Sequence, residues 1–399
     1  MQNFVYCAPT EIVFGRGGED RVSEFVRKYG GTRVLVIYGG SSAEKSGLLD
    51  RVIKNLRDSG IEARSSGGVV PNPLLSTARR KVREAVDFRA DFVLAVGGGS
   101  VIDTAKAVAH GAAEPERDLW DYWTGTRVEK SLPFGCILTI SAAGSETSDS
   151  CVLTNDETEP HTKRGMSCER NRCRFAILDP ALTMTLPKRQ IGAGVADIFM
   201  HTSERYFAPV LGNHLTDEIA EGLFRDITLY GPKGYRNPQD YEAMSEIMWC
   251  GSISHMGLTG LGSRGDTPRD GDWACHQMGM ALSALRNCTH GASLTAVWGS
   301  WASYVCHENM ARFAQFARRV WSVPDQNDAA AAEKGIERTE EFFRSVGMPL
   351  TLTELLGKEP TEREIREFTD ECTFQRTRTI GGFKVLSCSD ILRIYDMAR

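Results

Sequence analysis

Four side chains in the second half of the sequence have the types and spacing of ligands to one metal ion. Asp197 and His201 lie in the segment GAGVADIFMHTSERYF, and His276 and His290 lie in DWACHQMGMALSALRNCTHGAS. Residues i and i+4 share one helix face, so Asp197 and His201 would present a carboxylate oxygen and an imidazole nitrogen side by side. One carboxylate and three imidazoles suit a borderline divalent ion, Fe²⁺ or Zn²⁺, with room left for a substrate oxygen.

The spacing between the last two histidines constrains the fold. His276 and His290 are fourteen residues apart, which is about 21 Å along a straight helix. They can bind one ion only if the chain turns back between them, and Asn287-Cys288-Thr289 offers a break. An unbroken helix would exclude a shared metal. Taken singly, each histidine is more often a core or surface residue, and five others have no comparable context: His110, His161, His214, His255 and His307.

Two glycine- and hydroxyl-rich turns in the first half have the character of phosphate-binding loops. Residues 97–100 (GGGS) follow an apolar run and open a helical pattern, and residues 139–146 (TISAAGSE) follow another apolar run. Glycines let backbone N–H groups approach an anion, and a helix N-terminus favours negative charge. Two such loops at the carboxyl ends of strands predict a dinucleotide crevice. The alternative is a tight turn without ligand, and GGGS is not the G-x-G-x-x-G fingerprint.

The residues after the first strand of this half indicate which dinucleotide is preferred. An NAD site usually places an Asp or Glu there to accept from the ribose 2′-OH. This chain has Gly39, Gly40, Ser41 and Ser42, with Lys45 one turn later. Small donors and a cation would accept a 2′-phosphate, so the sequence predicts NADP(H) over NAD(H).

The elements that would position these residues divide the chain near residue 187. Residues 1–187 alternate apolar strand-like runs (33–38, 91–96, 133–140) with helical patterns (47–59, 75–88, 101–111). This rhythm predicts an α/β dinucleotide-binding domain with a doubly wound parallel sheet. Residues 188–399 are dominated by helical stretches, which predicts an all-α C-terminal domain for the metal and catalysis.

The overall composition fits a two-domain globular protein and excludes some partners. The chain has 399 residues, of which 41% are hydrophobic, and a formal net charge of -5. That charge gives no electrostatic footprint for nucleic acid. The basic run containing Arg79, Arg80, Lys81 and Arg83 is interpreted as a solvated helix face because acids lie nearby.

Targeting and redox signals point to the cytoplasm. The N-terminal segment MQNFVYCAPTEIVFG has neither the basic region nor the apolar run of a signal peptide. No stretch reaches the roughly 20 apolar residues of a membrane span. The 11 cysteines are scattered, without a C-x-x-C pair. We therefore expect reduced thiols in a cytoplasmic protein with no membrane partner.

Together these motifs make the chain recognisable. It resembles the iron-containing (group III) alcohol dehydrogenases, and within them the NADPH-dependent butanol dehydrogenase and aldehyde reductase branch. The resemblance runs nearly end to end and is carried by PTEIVFG (9–15), VIYGGSS (36–42), GGGSVIDTAKAVA (97–109), AAGSE (142–146), AILDP (176–180), GVADIFMHTSERY (194–206), DWACHQMG (272–279) and THGASLTAVW (289–298).

The resemblance implies a site for each ligand. It implies an active site in the cleft between the two domains, a homodimer, and the same four metal ligands as the spacing. Asp103 belongs to the same GGGS-x-x-D pattern, but we interpret it as a structural cap more than a ligand contact. The cofactor contacts that the resemblance implies are Gly39, Gly40, Ser41, Asn72, Gly98, Gly99, Ser100, Thr139, Ser148 and Lys163.

Two positions depart from the family pattern. Many relatives carry another histidine where this chain has Met280, and a thioether cannot relay a proton. Relatives often place a threonine where this chain has Ala143, and losing one hydroxyl could weaken cofactor binding by about 1 kcal/mol.

These observations predict a metal-dependent NADP(H) enzyme that reduces small aliphatic aldehydes or oxidises primary alcohols. One alternative is a polyol or sugar dehydrogenase, or a dehydroquinate synthase-like enzyme. A phosphorylated substrate would need a cluster of cations near the metal, and the segment 262–269 has only Arg264 and Arg269. The other is a catalytically silent nucleotide-binding relative. Four aromatic residues either line an apolar substrate pocket or pack in the core: Trp120, Tyr122, Trp123 and Trp273.

Overall fold

A computed structural model describes residues 2–210, 213–263 and 271–399. The chain forms two compact units. The N-terminal unit is Cys7–Thr185, and the C-terminal unit comprises Leu186–Arg399 together with the segment that ends at Tyr6. The expected division at residue 187 therefore differs in two ways: the boundary lies two residues earlier, and the first residues pack with the C-terminal unit rather than with the sheet. Arg264 and Arg269 lie outside the described residues.

The N-terminal unit alternates strands and helices. Its strands are β1 Glu11–Phe14, β2 Arg33–Tyr38, β3 Glu62–Ser66, β4 Phe92–Gly97, β5 Phe134–Leu138, β6 Ser150–Asn155, β7 Thr162–Ser167 and β8 Phe175–Leu178. Its helices are α1 Val22–Lys28, α2 Ser42–Lys45, α3 Leu48–Asp58, α4 Leu75–Phe88 and α5 Gly99–Ala113.

Six of these strands form one parallel sheet in the order β1-β8-β5-β4-β2-β3. The central strand β4 (FVLAVG) is buried along its whole length, as a strand with both faces covered must be. The chain leaves β2 towards β3 on one side and β4 towards β5 on the other, so β2 and β4 flank the topological switch point where α/β sheets bind ligands. The parallel sheet confirms the predicted fold class of this half.

A second, two-stranded sheet was not predicted. Strands β6 and β7 pair antiparallel, with Thr154 opposite Lys163. The sequence of β7 (TKRGMS) is polar and contains a glycine, so it gives no apolar run to mark a strand. It forms because β6 is largely buried and supplies a template for pairing.

The C-terminal unit is helical, as predicted. Its helices are α6 Lys188–Tyr206, α7 His214–Arg236, α8 Tyr241–His255, α9 Ala274–Arg286, α10 His290–Val305, α11 Met310–Trp321, α12 Asp328–Ser345, α13 Leu352–Leu356, α14 Glu362–Cys372 and α15 Cys388–Met397. No helix among the described residues is both long enough and apolar enough to cross a membrane.

Helix α6 is the centre of this unit. Every residue from Ile191 to Tyr206 is buried, so its polar side chains lie inside protein. Helix α10 packs on it closely because Gly291 has no side chain: a Cβ there would overlap the carbonyl oxygen of Ala193. The close approach brings the first turn of α10, with His290, against α6.

The chain breaks where the metal hypothesis requires it. Helix α9 ends at Arg286, Asn287 takes the left-handed conformation with φ 49°, and α10 begins at His290. The predicted break is confirmed, and it turns the chain back between His276 and His290.

His110 serves the core of the N-terminal unit. Its ring is fully buried on α5, with Nδ1 2.9 Å from Ser131 Oγ and Nε2 2.8 Å from Asn171 Oδ1. Burial lowers the pKa of His110 to about 4. When the pH falls below the ordinary histidine pKa, the unfolded chain therefore takes up a proton at His110 while the folded state keeps the ring neutral.

This burial predicts an acid-sensitive contribution to stability. Between the unfolded pKa and about 4, the unfolded state binds more protons, so stability falls as pH falls, by up to about 2 kcal/mol from pH 6.5 to pH 5. In His110→Gln the slope of unfolding free energy against pH should flatten in this range, whereas the exposed control His161→Gln should keep it. Urea unfolding at a series of pH values measures both; parallel wild-type and His110→Gln curves would contradict the assignment.

Candidate metal and nucleotide sites

Helix α6 presents the first two candidate metal ligands on one buried face. Asp197 Oδ1 lies 3.4 Å from His201 Nδ1. The same Nδ1 lies 3.0 Å from the backbone carbonyl oxygen of Asp197, to which it donates in the neutral ring. That hydrogen bond leaves the lone pair on Nε2, the form in which imidazole coordinates a metal. Burial lowers the pKa of His201 well below its usual value, which also favours the neutral ring.

The other two histidines converge on the same carboxylate oxygen. Nε2 of His276 and Nε2 of His290 each lie 3.7 Å from Asp197 Oδ1. Ligands bound to one ion at about 2.1 Å in a tetrahedral arrangement lie about 3.4 Å apart. Donor atoms of Asp197, His201 and His276 all lie within 4.8 Å of one another. The structure thus brings together all four residues that the spacing selected.

The donor atoms of this cluster fit a cation. Within the described ranges, Asp197 Oδ1 and His276 Nε2 are buried without a hydrogen-bond partner. An unsatisfied buried polar atom costs about 1–3 kcal/mol, and a carboxylate oxygen facing an imidazole lone pair adds repulsion. A divalent ion between them would remove both penalties. The side chain of His290 is 28% exposed, whereas those of the other three are nearly covered, so the cluster opens on the His290 side.

Glu204 supports the cluster from one turn along α6. Its Oε1 accepts from the backbone N–H of His276 and lies 3.0 Å from His276 Nδ1, which turns Nε2 towards Asp197. Burial lowers the pKa of His276, but the Asp197 and Glu204 carboxylates more than offset it, so the pKa is raised. Glu204 was not among the predicted site residues, although its sequence position three residues after His201 places it near the same side of α6.

A second group around the cluster was also missed. The ring of His255, at the end of α8, lies 4.2 Å from that of His201, although the sequence context of His255 gave no sign of this contact. Arg205 Nη2 contacts His255 Nδ1 at 2.9 Å, and the Arg205 guanidinium lies 4.6 Å from the centre of the Trp273 ring. No local sequence pattern links α8 to α6, so only the fold reveals this contact.

Trp273 packs against the candidate metal ligands, and the other aromatic candidates belong to a core. The ring of Trp273 packs edge-on against His276 at 5.2 Å, and its backbone has φ 62°, a strained conformation for a bulky residue. Tyr122 and Trp123 are instead buried in a hydrophobic cluster of the N-terminal unit, with Trp120 packed against it. The core alternative is therefore correct for these three residues.

The predicted nucleotide loops lie together at one edge of the parallel sheet. Strands β2, β4 and β5 are neighbours, so the residues after them meet at their carboxyl ends: Gly39, Gly40 and Ser41 after β2, Gly98, Gly99 and Ser100 after β4, and Thr139 after β5. The backbone N–H of Thr139 donates to the Gly97 carbonyl at 3.1 Å, which ties two of the loops together.

The glycines of these loops differ in whether close packing requires the absence of a side chain. A Cβ on Gly98 would lie 2.9 Å from Ile140 Cβ, and one on Gly99 would lie 3.3 Å from Ala143 Cβ, so packing accounts for both. A Cβ on Gly40 would meet nothing within 4 Å. Packing within the protein therefore does not require glycine at position 40. Open space of this kind is expected where a residue lies beside a bound ligand.

The remaining predicted cofactor contacts lie around the β6–β7 hairpin. Lys163 Nζ donates to Asn72 Oδ1 at 2.8 Å, and Asn72 has φ 56°. Ser148 is buried, with its hydroxyl 3.5 Å from Lys106 Nζ. Asp103 accepts from Ser145 Oγ at 2.6 Å and from the Val152 backbone N–H at 3.0 Å. Asp103 therefore joins α5 to the loop and the hairpin, in line with a structural role.

The metal cluster predicts a graded loss of affinity. Asp197→Asn should abolish tight binding because it removes the charge at the centre of the cluster. Glu204→Gln should weaken binding by about 10- to 100-fold, since it only loosens the orientation of His276. The exposed control His307→Gln should bind as the wild type does. Chelator competition followed by elemental analysis measures all three, and equal affinity in Asp197→Asn would refute the ligand set.

The open space at Gly40 predicts a selective effect on the dinucleotide. Gly40→Ala should leave thermal stability and metal content unchanged but weaken dinucleotide binding, because the methyl group enters unfilled space beside the switch point. Gly222→Ala, on helix α7 of the other unit, is a control with similarly open surroundings. Titration of protein fluorescence with NADPH compares the two, and unchanged affinity in Gly40→Ala would place the nucleotide elsewhere.

Comparison with known proteins agrees with this arrangement. Residues 9–180 match the family model described as iron-containing alcohol dehydrogenase, and residues 191–399 match that described as Fe-containing alcohol dehydrogenase family, C-terminal. The chain is 35% identical over 399 residues to NADH-dependent butanol dehydrogenase A of Clostridium acetobutylicum, covering 99% of each chain. It is 34% identical over 357 residues to the NADPH-dependent aldehyde reductase YqhD of Escherichia coli, covering 89% of each.

A solved structure is similar over the whole chain. The crystal structure of NADH-dependent butanol dehydrogenase A from Thermotoga maritima superposes with a TM-score of 0.94 at 36% identity, covering 100% of this chain and 99% of the other. Both halves of the sequence and the complete fold agree on one assignment. The chain belongs to the iron-containing alcohol dehydrogenase family.

Proposed function

We propose that this NAD(P)-dependent alcohol dehydrogenase uses a divalent metal and NADP(H) to interconvert small aliphatic aldehydes and primary alcohols. The substrate class is suggested by the names of relatives, which include butanol dehydrogenases and an aldehyde reductase. The observation that carries the metal is the buried Asp197 Oδ1, which lies 3.7 Å from Nε2 of both His276 and His290, on the helix face that also carries His201, and has no hydrogen-bond partner among the described residues.

The residues of the chain have separate tasks in this reaction. Asp197, His201, His276 and His290 would hold the ion, and Glu204 keeps His276 oriented. When bound, the ion would supply Lewis acidity to a carbonyl oxygen and the nicotinamide would supply the hydride. The side chains of Asp197, His201 and His276 are nearly covered, and the low local dielectric strengthens electrostatic interactions among them. Met280, one turn beyond His276 on α9, offers no proton, so we expect the proton to come from solvent at the exposed His290 side.

The preference for NADP(H) is supported by the corner after β2. Ser41, Ser42 and Lys45 are exposed there. The neighbouring carboxylate, Glu44, accepts a hydrogen bond from the Tyr38 hydroxyl at 2.6 Å, so it is already engaged. Relatives include both NADH- and NADPH-dependent enzymes, and family membership leaves the choice open.

The proposed function is tested by metal reconstitution. Protein stripped with a chelator should oxidise NADPH with butanal only after Fe²⁺ or Zn²⁺ is added back, and kcat/KM should favour NADPH over NADH by about tenfold or more. Asp197→Asn should stay inactive with either ion, and His307→Gln should recover as the wild type does. Tight binding of metal and NADPH without turnover of any aldehyde would contradict the proposed aldehyde reductase activity. Turnover confined to polyols or sugar phosphates would instead support the alternative, a polyol or sugar dehydrogenase.

A further inference from the structure

The basic run of helix α4 does not form the uniform solvated face that its sequence predicted. Arg79 forms an ion pair with Asp118 at 2.7 Å and also contacts Glu157. Lys81 is completely buried, so the prediction is wrong for this residue. Its Nζ donates to Ser66 Oγ at 2.7 Å and to the Gly67 carbonyl oxygen at 2.6 Å.

The loop that Lys81 holds lies beside the corner after β2. The Gly68 backbone N–H donates to the Gly39 carbonyl at 3.0 Å, and Gly67 packs so closely on the Tyr38 ring that a Cβ there would overlap it. Residues 66–68 therefore form one wall of the corner where the proposed dinucleotide would place its adenosine ribose. Lys81 fixes this wall from the inside.

Arg80 lies on the solvent side of the same wall. Its Nη2 is 3.9 Å from the position that a Cβ on Gly68 would take, and its side chain is 53% exposed. It forms no hydrogen bond within the described part of the chain, and its nearest acid, Glu84, lies 3.8 Å from its Nε. Glu84 itself accepts from Ser66 Oγ. The guanidinium thus lies beside the corner with only a long ion pair to Glu84.

The charges around this corner favour an anion. Burial lowers the pKa of Lys81 to about 8, so most of it remains protonated at neutral pH. Together with Lys45 and Arg80 it gives three cations against two carboxylates, Glu44 and Glu84. Glu44 accepts from the Tyr38 hydroxyl, and Glu84 accepts from Ser66 Oγ in the wall. The excess positive charge attracts an anion, and a guanidinium is well suited to bind phosphate through paired N–H donors.

We propose that Arg80 binds the 2′-phosphate of NADP(H) and, with Lys45, determines the dinucleotide preference, while Lys81 is a positioning residue that holds the loop 66–68. This assignment rests on the proposed preference for NADP(H) and adds a residue from a different helix, some forty positions beyond the corner itself. Arg80 would leave Glu84 for the phosphate, which requires only a side-chain rotation at an exposed position.

The test uses 2′,5′-ADP and 5′-AMP as probes, because their binding needs neither nicotinamide nor metal. Wild-type protein should bind 2′,5′-ADP more tightly than 5′-AMP. Arg80→Gln should lose about tenfold or more of its affinity for 2′,5′-ADP and keep that for 5′-AMP. The affinity of Arg80→Lys for 2′,5′-ADP should lie between those of the wild type and Arg80→Gln. Arg127→Gln removes the same charge from an exposed site of the same unit, paired with Glu129, and should behave as wild type.

The outcomes separate the inference from the function on which it rests. A wild-type preference for 2′,5′-ADP that survives in Arg80→Gln but disappears in Lys45→Gln would overturn the role of Arg80 and leave the NADP(H) preference standing. Equal affinity of the wild type for both probes would overturn the NADP(H) preference and, with it, this inference. Loss of affinity for both probes in Arg80→Gln, with a lowered Tm, would make Arg80 a structural residue.

Discussion

The C-terminal unit is organised around one electrostatic constraint: a buried carboxylate oxygen that faces three imidazole rings. Isolating such a charge from water is costly, and its partners in the protein are too distant for hydrogen bonds. A divalent cation at the centre would resolve the conflict, and the surrounding features are consistent with that arrangement. Helix α6 is buried from Ile191 to Tyr206, and Gly291 lets α10 pack closely against it. Asn287, in the left-handed conformation, ends α9, so the chain reverses before His290.

The N-terminal unit meets a different constraint. A dinucleotide is bound through backbone N–H groups that its phosphates can approach, rather than through side chains that converge on one point. The strand order supplies the opening, since the connections from β2 and β4 leave in opposite directions. The turns there combine glycines required by packing, such as Gly98, with one, Gly40, that packing does not require. Lys81, which holds the loop 66–68, and Arg80, which lies beside it, add positive charge near these turns.

The sequence predicted those parts of the molecule that follow from local periodicity. Apolar runs marked β2, β4 and β5, and the i, i+4 spacing of Asp197 and His201 survives in a single helix whatever the rest of the chain does. The position of the break before His290 was predictable because the geometry of one straight helix excludes a shared ion. The four candidate ligands were therefore found from spacing, and their binding of metal stays a prediction.

What the sequence did not predict depends on contacts between distant segments. His255 approaches His201 only because α8 packs against α6, and Lys81 is buried only because the loop after β3 supplies acceptors for its ammonium group. The hairpin strand β7 is polar along most of its length, and its pairing with β6 defines it. In each case a tertiary partner overrides the local preference of the residue.

The most direct test of the metal centre is anomalous diffraction from crystals of the protein loaded with Fe²⁺ or Zn²⁺, recorded at the absorption edge of the added metal. We expect one strong peak in the C-terminal unit, with donor atoms of Asp197, His201, His276 and His290 at about 2.0–2.3 Å. A peak in which His255 replaces one of these ligands would show that the ligand set is wrong. Absence of any peak beside Asp197 in a loaded crystal would contradict the metal centre itself.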